Sequence, residues 1–72
     1  MLEHLRGLRE DRDLSQRDMA DLLKIHQTTY SDYELGRLNI PIPVLKELAR
    51  FFGTSVDYII GLTNIREPYP RA

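Results

Sequence analysis

The sequence predicts an all-α domain built from five short helices. Apolar residues recur at three- and four-residue spacing along most of the chain, and helix-capping serines and helix-ending glycines punctuate that pattern at regular intervals. The length adds a third observation. A chain of 72 residues forms one domain that buries only roughly 60% of its unfolded surface, so its core must be compact and its helical contacts mostly local.

Leu2, Leu5 and Leu8 recur with charged residues between them, which reads as an amphipathic first helix running to about Arg12. Asp13 and Leu14 break it. Ser15 is a good N-cap, and Asp18 three residues on has the spacing of a capping box, so a second helix begins at Gln16. Its buried face is Met19, Ala20 and Leu23, closed by Ile25, with Ala20 small enough for another helix to cross closely. Lys24, Ile25 and His26 form a turn, and a third helix runs from Gln27 to about Leu35, ended by Gly36. Residues 37–43 contain two prolines and no clear period, so they form a loop. Val44, Leu48, Phe51 and Phe52 give a fourth helix that starts near Pro43 and stops at Gly53. Ser55 caps a short fifth helix, Val56 to Ile60, ended by Gly61. These elements make residues 1–61 the domain and residues 62–72, "LTNIREPYPRA", a C-terminal arm or tail.

The composition is that of a folded globular protein, with 29% charged and 42% hydrophobic residues. There is no cysteine, which excludes disulfides, thiolate metal sites and cysteine nucleophiles. With no leader at Met1 and no membrane-length apolar run, a reducing cytoplasm is the expected compartment. The formal net charge is -1, without the basic excess usual for nucleic-acid binders. The imbalance is local: residues 1–35 hold five basic and eight acidic side chains, residues 36–72 five basic and three acidic.

The outer face of the third helix carries the functional reading. At about 100° per residue, Gln27, Thr28, Ser31, Asp32 and Leu35 share one arc, and Thr29, Tyr30, Tyr33 and Glu34 the other. Tyr30 and Tyr33 then anchor the helix, leaving a short polar row outward. Gln can pair with adenine N6 and N7, Thr can meet a base edge or a thymine methyl, and Asp can accept from cytosine N4. Taken by itself, such a row also fits an ordinary solvated helix face.

The joint pattern is more specific. "LREDRDLSQRDMADLLKIHQTTYSDYELGR" and, further on, "PVLKELARFFGTSVDYIIG" resemble the phage repressor and Cro type of helix-turn-helix protein, the XRE family, over about residues 1–61. The resemblance implies a lambda-repressor-like fold in which helices 2 and 3 form the helix-turn-helix, the break at 24–26 being the tight turn between them. It implies double-stranded DNA as the partner, with Gln27, Thr28, Ser31 and Asp32 reading bases and Gln16, Arg17 and Arg37 holding phosphates. It also implies an internal ion pair between Arg9 and Glu34, and a homodimer on DNA, for which Tyr58, Ile60 and Leu62 are the candidate contacts.

Where the family usually has glycine in the turn this chain has Lys24, and His26 stands where a Ser or Thr cap is usual, so a weak cap through a ring nitrogen is expected. The loop "LNIPIP" lacks basic residues and Asp32 is acidic, which predicts few phosphate contacts and a shallow salt dependence. His4 and His26 have no partners at metal-ligand spacing and read as surface or capping residues. The stretch Glu10 to Asp13 lacks the glycine and distal Glu of a calcium loop. No serine has a base beside it in a domain this small, so no enzyme, metal or cofactor is expected. The expected function is a DNA-binding transcriptional regulator acting as a repressor; the alternative is a protein-interaction module on the same fold, favoured by the acidic N-terminal half.

Overall fold

In a computed structural model, described for residues 1–68 and 70, the chain forms α1 (Glu3–Asp11), α2 (Gln16–Leu23), α3 (Gln27–Leu35), α4 (Ile42–Phe52) and α5 (Val56–Ile59). There is no strand among the described residues. The expected boundaries hold to within one residue, the differences being α1 ending at Asp11, α4 starting at Ile42 and α5 ending at Ile59. Of the C-terminal arm, residues 69, 71 and 72 lie outside the described residues.

All five helices end in the same way. The residue past the last turn adopts positive φ at Asp13, Lys24, Gly36, Gly53 and Gly61. The next amide then reaches back to the carbonyl five residues earlier: Leu14 to Arg9, Ile25 to Ala20, Arg37 to Asp32, Thr54 to Ala49 and Leu62 to Asp57. This closure satisfies carbonyls that a helix C-terminus leaves free and turns the chain sharply within two residues. It is the reason α2 and α3 need no longer linker.

Three of these positions are glycine and two are not, so Asp13 (φ 56°) and Lys24 (φ 57°) hold a left-handed conformation against a Cβ penalty. Lys24→Gly is therefore expected to stabilise the domain by about 1 kcal/mol. Thermal melts should show a rise of roughly 4–8 °C; an unchanged or lower melting temperature would mean that Lys24 makes a compensating contact.

The start of α2 has the full capping box: Asp18 N–H donates to Ser15 Oγ at 3.0 Å, and Ser15 N–H donates to Asp18 Oδ2 at 2.8 Å. Donation from the Ser15 N–H, with the Ser15 hydroxyl beside it, holds the exposed Asp18 carboxyl below its ordinary range. The start of α3 differs from the expectation. His26 accepts no capping bond; its ring is exposed to solvent, where water competes for the nitrogen.

The core joins α1 through Leu5 and Leu8, α2 through Met19 and Ala20, α3 through Tyr30 and Tyr33, α4 through Leu48 and Phe52, and α5 through Ile59. Three polar contacts lock α1 across this core. Leu2 N–H donates to Glu34 O at 2.7 Å. Arg12 donates to Phe51 O at 2.9 Å, at the C-terminal end of α4, with its guanidinium 5.0 Å from the Phe51 ring centroid. His4 stacks on Tyr58 with ring centroids 4.0 Å apart, and its Nδ1 lies 2.6 Å from Tyr58 O. His4 is thus a half-buried packing residue between α1 and α5, which corrects its reading as a surface or capping residue. Its partner lies 54 positions away, beyond the reach of local pattern.

The segment after α5 runs back along the domain. Buried Thr54 donates its hydroxyl to Arg66 O at 2.6 Å, and Arg66 pairs with Asp11 at 3.2 Å. No helix among the described residues is long and apolar enough to cross a membrane.

Candidate nucleic-acid interface

The outer face of α3 is positioned from beneath. Tyr30 is fully buried and Tyr33 nearly so, which fixes the rotation of the helix and leaves Gln27 and Thr28 exposed in its first turn. Ser31 and Asp32 are only half-buried one turn on, so the expected outward row is open at its N-terminal end and partly covered behind. No side chain caps α3, and the N–H groups of its first turn gain no side-chain acceptor from within the domain. Leu35, on the same arc, is 37% exposed.

Arg17, in the first turn of α2, and Arg37, just past Gly36, are both exposed. Lys24 is exposed in the turn between them in sequence. It is a cation next to the start of α3 that the sequence reading treated only as a turn residue. A positive charge in the turn before α3 was the available signal. The residues 38–43 add no basic side chain, while exposed Asp18 and Asp21 put negative charge on α2.

Gln16 is less free than the sequence suggested. Half-buried, it donates from Nε2 to Glu34 Oε1 at 3.2 Å. Glu34 is 2% exposed and receives Arg9 Nε on Oε2 at 2.7 Å and a second Arg9 nitrogen on Oε1 at 3.2 Å. The third Arg9 nitrogen donates to Leu14 O at 2.8 Å. Burial alone pushes the Glu34 carboxyl up, but the donors from Arg9 and Gln16 outweigh it and hold it below its ordinary range. The bond to Glu34 likewise raises the Arg9 guanidinium against the opposing effect of burial. Burial, with the Glu34 carboxylate close to it, pushes the Tyr30 phenol far up, so it stays neutral; its hydroxyl lies beside that carboxylate without a well-aligned hydrogen bond. The pair Arg9 and Glu34 therefore lies beneath α3 and belongs to the scaffold.

Of the apolar residues at the other end, Ile60 and Leu62 are 39% and 73% exposed. Tyr58 is half-buried, with its ring against His4. Ile60 also lines a groove of about 380 Å³ with Leu2, Tyr33, Leu38, Ile40 and Leu45, and Leu38 adds a further exposed apolar side chain to it. Among the described residues no group of three or more His, Cys, Asp or Glu side chains is placed to hold a metal ion.

The arrangement offers hydrogen-bonding side chains on a rigid helix flanked by cations, and comparison with known proteins agrees in kind. The Helix-turn-helix family matches residues 5–59. Among curated proteins, the chain is 36% identical over 66 residues to the uncharacterised HTH-type transcriptional regulator YobD of Bacillus subtilis, covering 92% of this chain and 59% of that protein. It is 34% identical over 71 residues to the HTH-type transcriptional regulator AnsR of the same organism, covering 99% and 61%. To the cryptic phage CTXphi transcriptional repressor RstR of Vibrio cholerae it is 32% identical over 65 residues, covering 88% and 59%. The chain thus spans about three fifths of the length of these relatives. No solved structure matches it significantly. With the five helices, the left-handed turn at Lys24 and the family match running from Leu5 to Ile59, this chain belongs to the XRE-type helix-turn-helix family.

Proposed function

We propose that this chain is the DNA-reading domain of a transcriptional regulator, a repressor, and that it has no enzymatic activity of its own. The observation that carries the reading is the first turn of α3, where Gln27 and Thr28 are exposed on a helix whose opposite side is fixed by buried Tyr30 and Tyr33. In this reading Gln27 and Thr28 meet base edges in the major groove, and Ser31 and Asp32 contact bases further along. Gln16, Arg17, Arg37 and Lys24 face phosphates. The regulator works inside the cell and binds as a homodimer, with Ile60, Leu62 and the adjoining Leu38 forming most of the contact and Tyr58 its edge. Exposed Leu38 and Ile60 on one groove, and exposed Leu62 two residues further along the chain, support that pairing.

Selection of bound DNA from a random library tests the reading. The wild type is expected to enrich a palindrome with half-sites about 10 bp apart. If nothing is enriched at low salt, the DNA reading fails and a protein partner becomes the alternative. Sedimentation at high micromolar concentration tests self-association separately, a strict monomer speaking against the dimer contact. On the selected site the salt dependence should be shallow. Three candidate phosphate-facing cations give a slope of roughly -3 per protomer, at about -0.9 for each phosphate neutralised. A dimer slope near -10 would show cations at work that this interface does not contain.

A further inference from the structure

Gln16 opens α2, yet its side chain points toward α3, where Nε2 donates to Glu34 Oε1 at 3.2 Å. An ionised carboxylate can only accept hydrogen bonds, so it dictates which end of the amide faces it. The Gln16 carbonyl is excluded from that side. Nitrogen turns inward, one N–H is used by Glu34, and the second N–H remains for an acceptor outside. The carboxylate is itself immobile, since both of its oxygens receive Arg9 and the other arm of Arg9 is tied to Leu14 O.

We propose that Glu34 is a positioning residue for DNA binding, fixing the Gln16 amide so that its remaining N–H meets a backbone phosphate. The inference rests on the DNA reading given above. Glu34 is buried and touches no DNA; it acts through Gln16, and Arg9 acts through Glu34. Holding a rotamer-rich side chain ready before the complex forms removes an ordering cost that amounts to about two- to tenfold in affinity. The "Tyr-Glu" of α3 then has two tasks: Tyr33 anchors the recognition helix, and Glu34 sets a phosphate donor on the neighbouring helix.

A double-mutant cycle on the selected DNA site tests this, with Gln16→Ala, Glu34→Gln and the two combined, at a temperature where circular dichroism shows every variant folded. Gln16→Ala should weaken binding about tenfold on all sequences alike, without changing the salt slope, because a neutral donor displaces no counterion. Glu34→Gln turns one acceptor into a donor and should weaken binding about two- to tenfold. In the Gln16→Ala background Glu34→Gln should cost nothing further. Equal losses in both backgrounds, or a lowered melting temperature with unchanged affinity, would overturn the proposal and leave Glu34 a structural residue.

An NMR measurement on the free wild type needs no variant to fold. Gln16 and Gln27 are the two glutamines of the chain, and the Gln16 side-chain amide should exchange with water more slowly than that of exposed Gln27. Equal exchange overturns the anchored amide. A wild type that binds no DNA overturns this inference together with the function on which it rests, whereas DNA binding with additive losses overturns the inference alone.

Discussion

Arg9→Ala is expected to lower the unfolding free energy by about 3–5 kcal/mol, because it leaves Glu34 buried and charged without its partner. Urea denaturation would read the loss directly. The side chains of this pair are 11% and 2% exposed with 2.7 Å between charged atoms, and Arg9 also satisfies Leu14 O. A small domain has a total stability of only about 5–15 kcal/mol, so the variant would be marginal. Arg6→Ala is the control: Arg6 and Glu10 lie 3.4 Å apart with side chains 46% and 53% exposed, and an exposed helical pair of this kind contributes roughly 0.3–0.5 kcal/mol. A loss at Arg9 no larger than that at Arg6 would refute the account.

The same pair gives the pH dependence a sign. Glu34 is held below its ordinary value in the folded protein, so its contribution is complete above the unfolded carboxyl value of about 4.3. It is lost as pH falls through the lower, folded value. Asp18, also held low by the capping box, adds to the trend. In Arg9→Ala the burial of Glu34 is no longer offset, its carboxyl shifts upward, and protonation relieves a buried charge. The stability gap between wild type and variant should therefore begin to narrow above the unfolded value of about 4.3, as the raised carboxyl of the variant protonates, and go on narrowing until pH passes the lowered value of the wild type. A gap constant from pH 7 to pH 3 would mean that Glu34 is not the titrating partner.

The second large effect concerns binding. Gln27→Ala with Thr28→Ala should reduce affinity for the selected site at least tenfold to a hundredfold, since a good base contact is worth about 1–3 kcal/mol of discrimination. Both residues are exposed, so the melting temperature should stay where it is. The test lies in the pattern across sequences. Loss of base contacts flattens the motif at particular positions, whereas Arg37→Ala should weaken all sequences about equally. If the double variant selects the wild-type motif at wild-type strength, bases are read elsewhere.

The helices and their ends were legible because the signals that set them are local. Ser15 and Asp18 lie one turn apart and form the capping box that their spacing implies. Gly36, Gly53 and Gly61 end three helices because a left-handed residue needs no help from distant parts of the chain. The rotation of α3 was legible too, since two tyrosines three residues apart can be buried only if Gln27 and Thr28 face out. Local reading failed at His26, whose residue type allows a cap that its solvent-exposed ring does not make.

Tertiary structure alone decided what each inward face meets. His4 finds Tyr58 across 54 positions, and Arg12 finds the Phe51 carbonyl across 39. Thr54 holds the carbonyl of Arg66, so the described part of the arm lies against the domain. Gln16, for which the family resemblance implies a phosphate contact, donates to Glu34 eighteen residues away. Periodicity states which side of a helix turns inward, because side-chain direction follows from backbone geometry within a turn or two. It carries no information on the neighbour waiting there, since that depends on how whole helices pack, and one buried carboxylate can then determine how a surface amide presents its N–H.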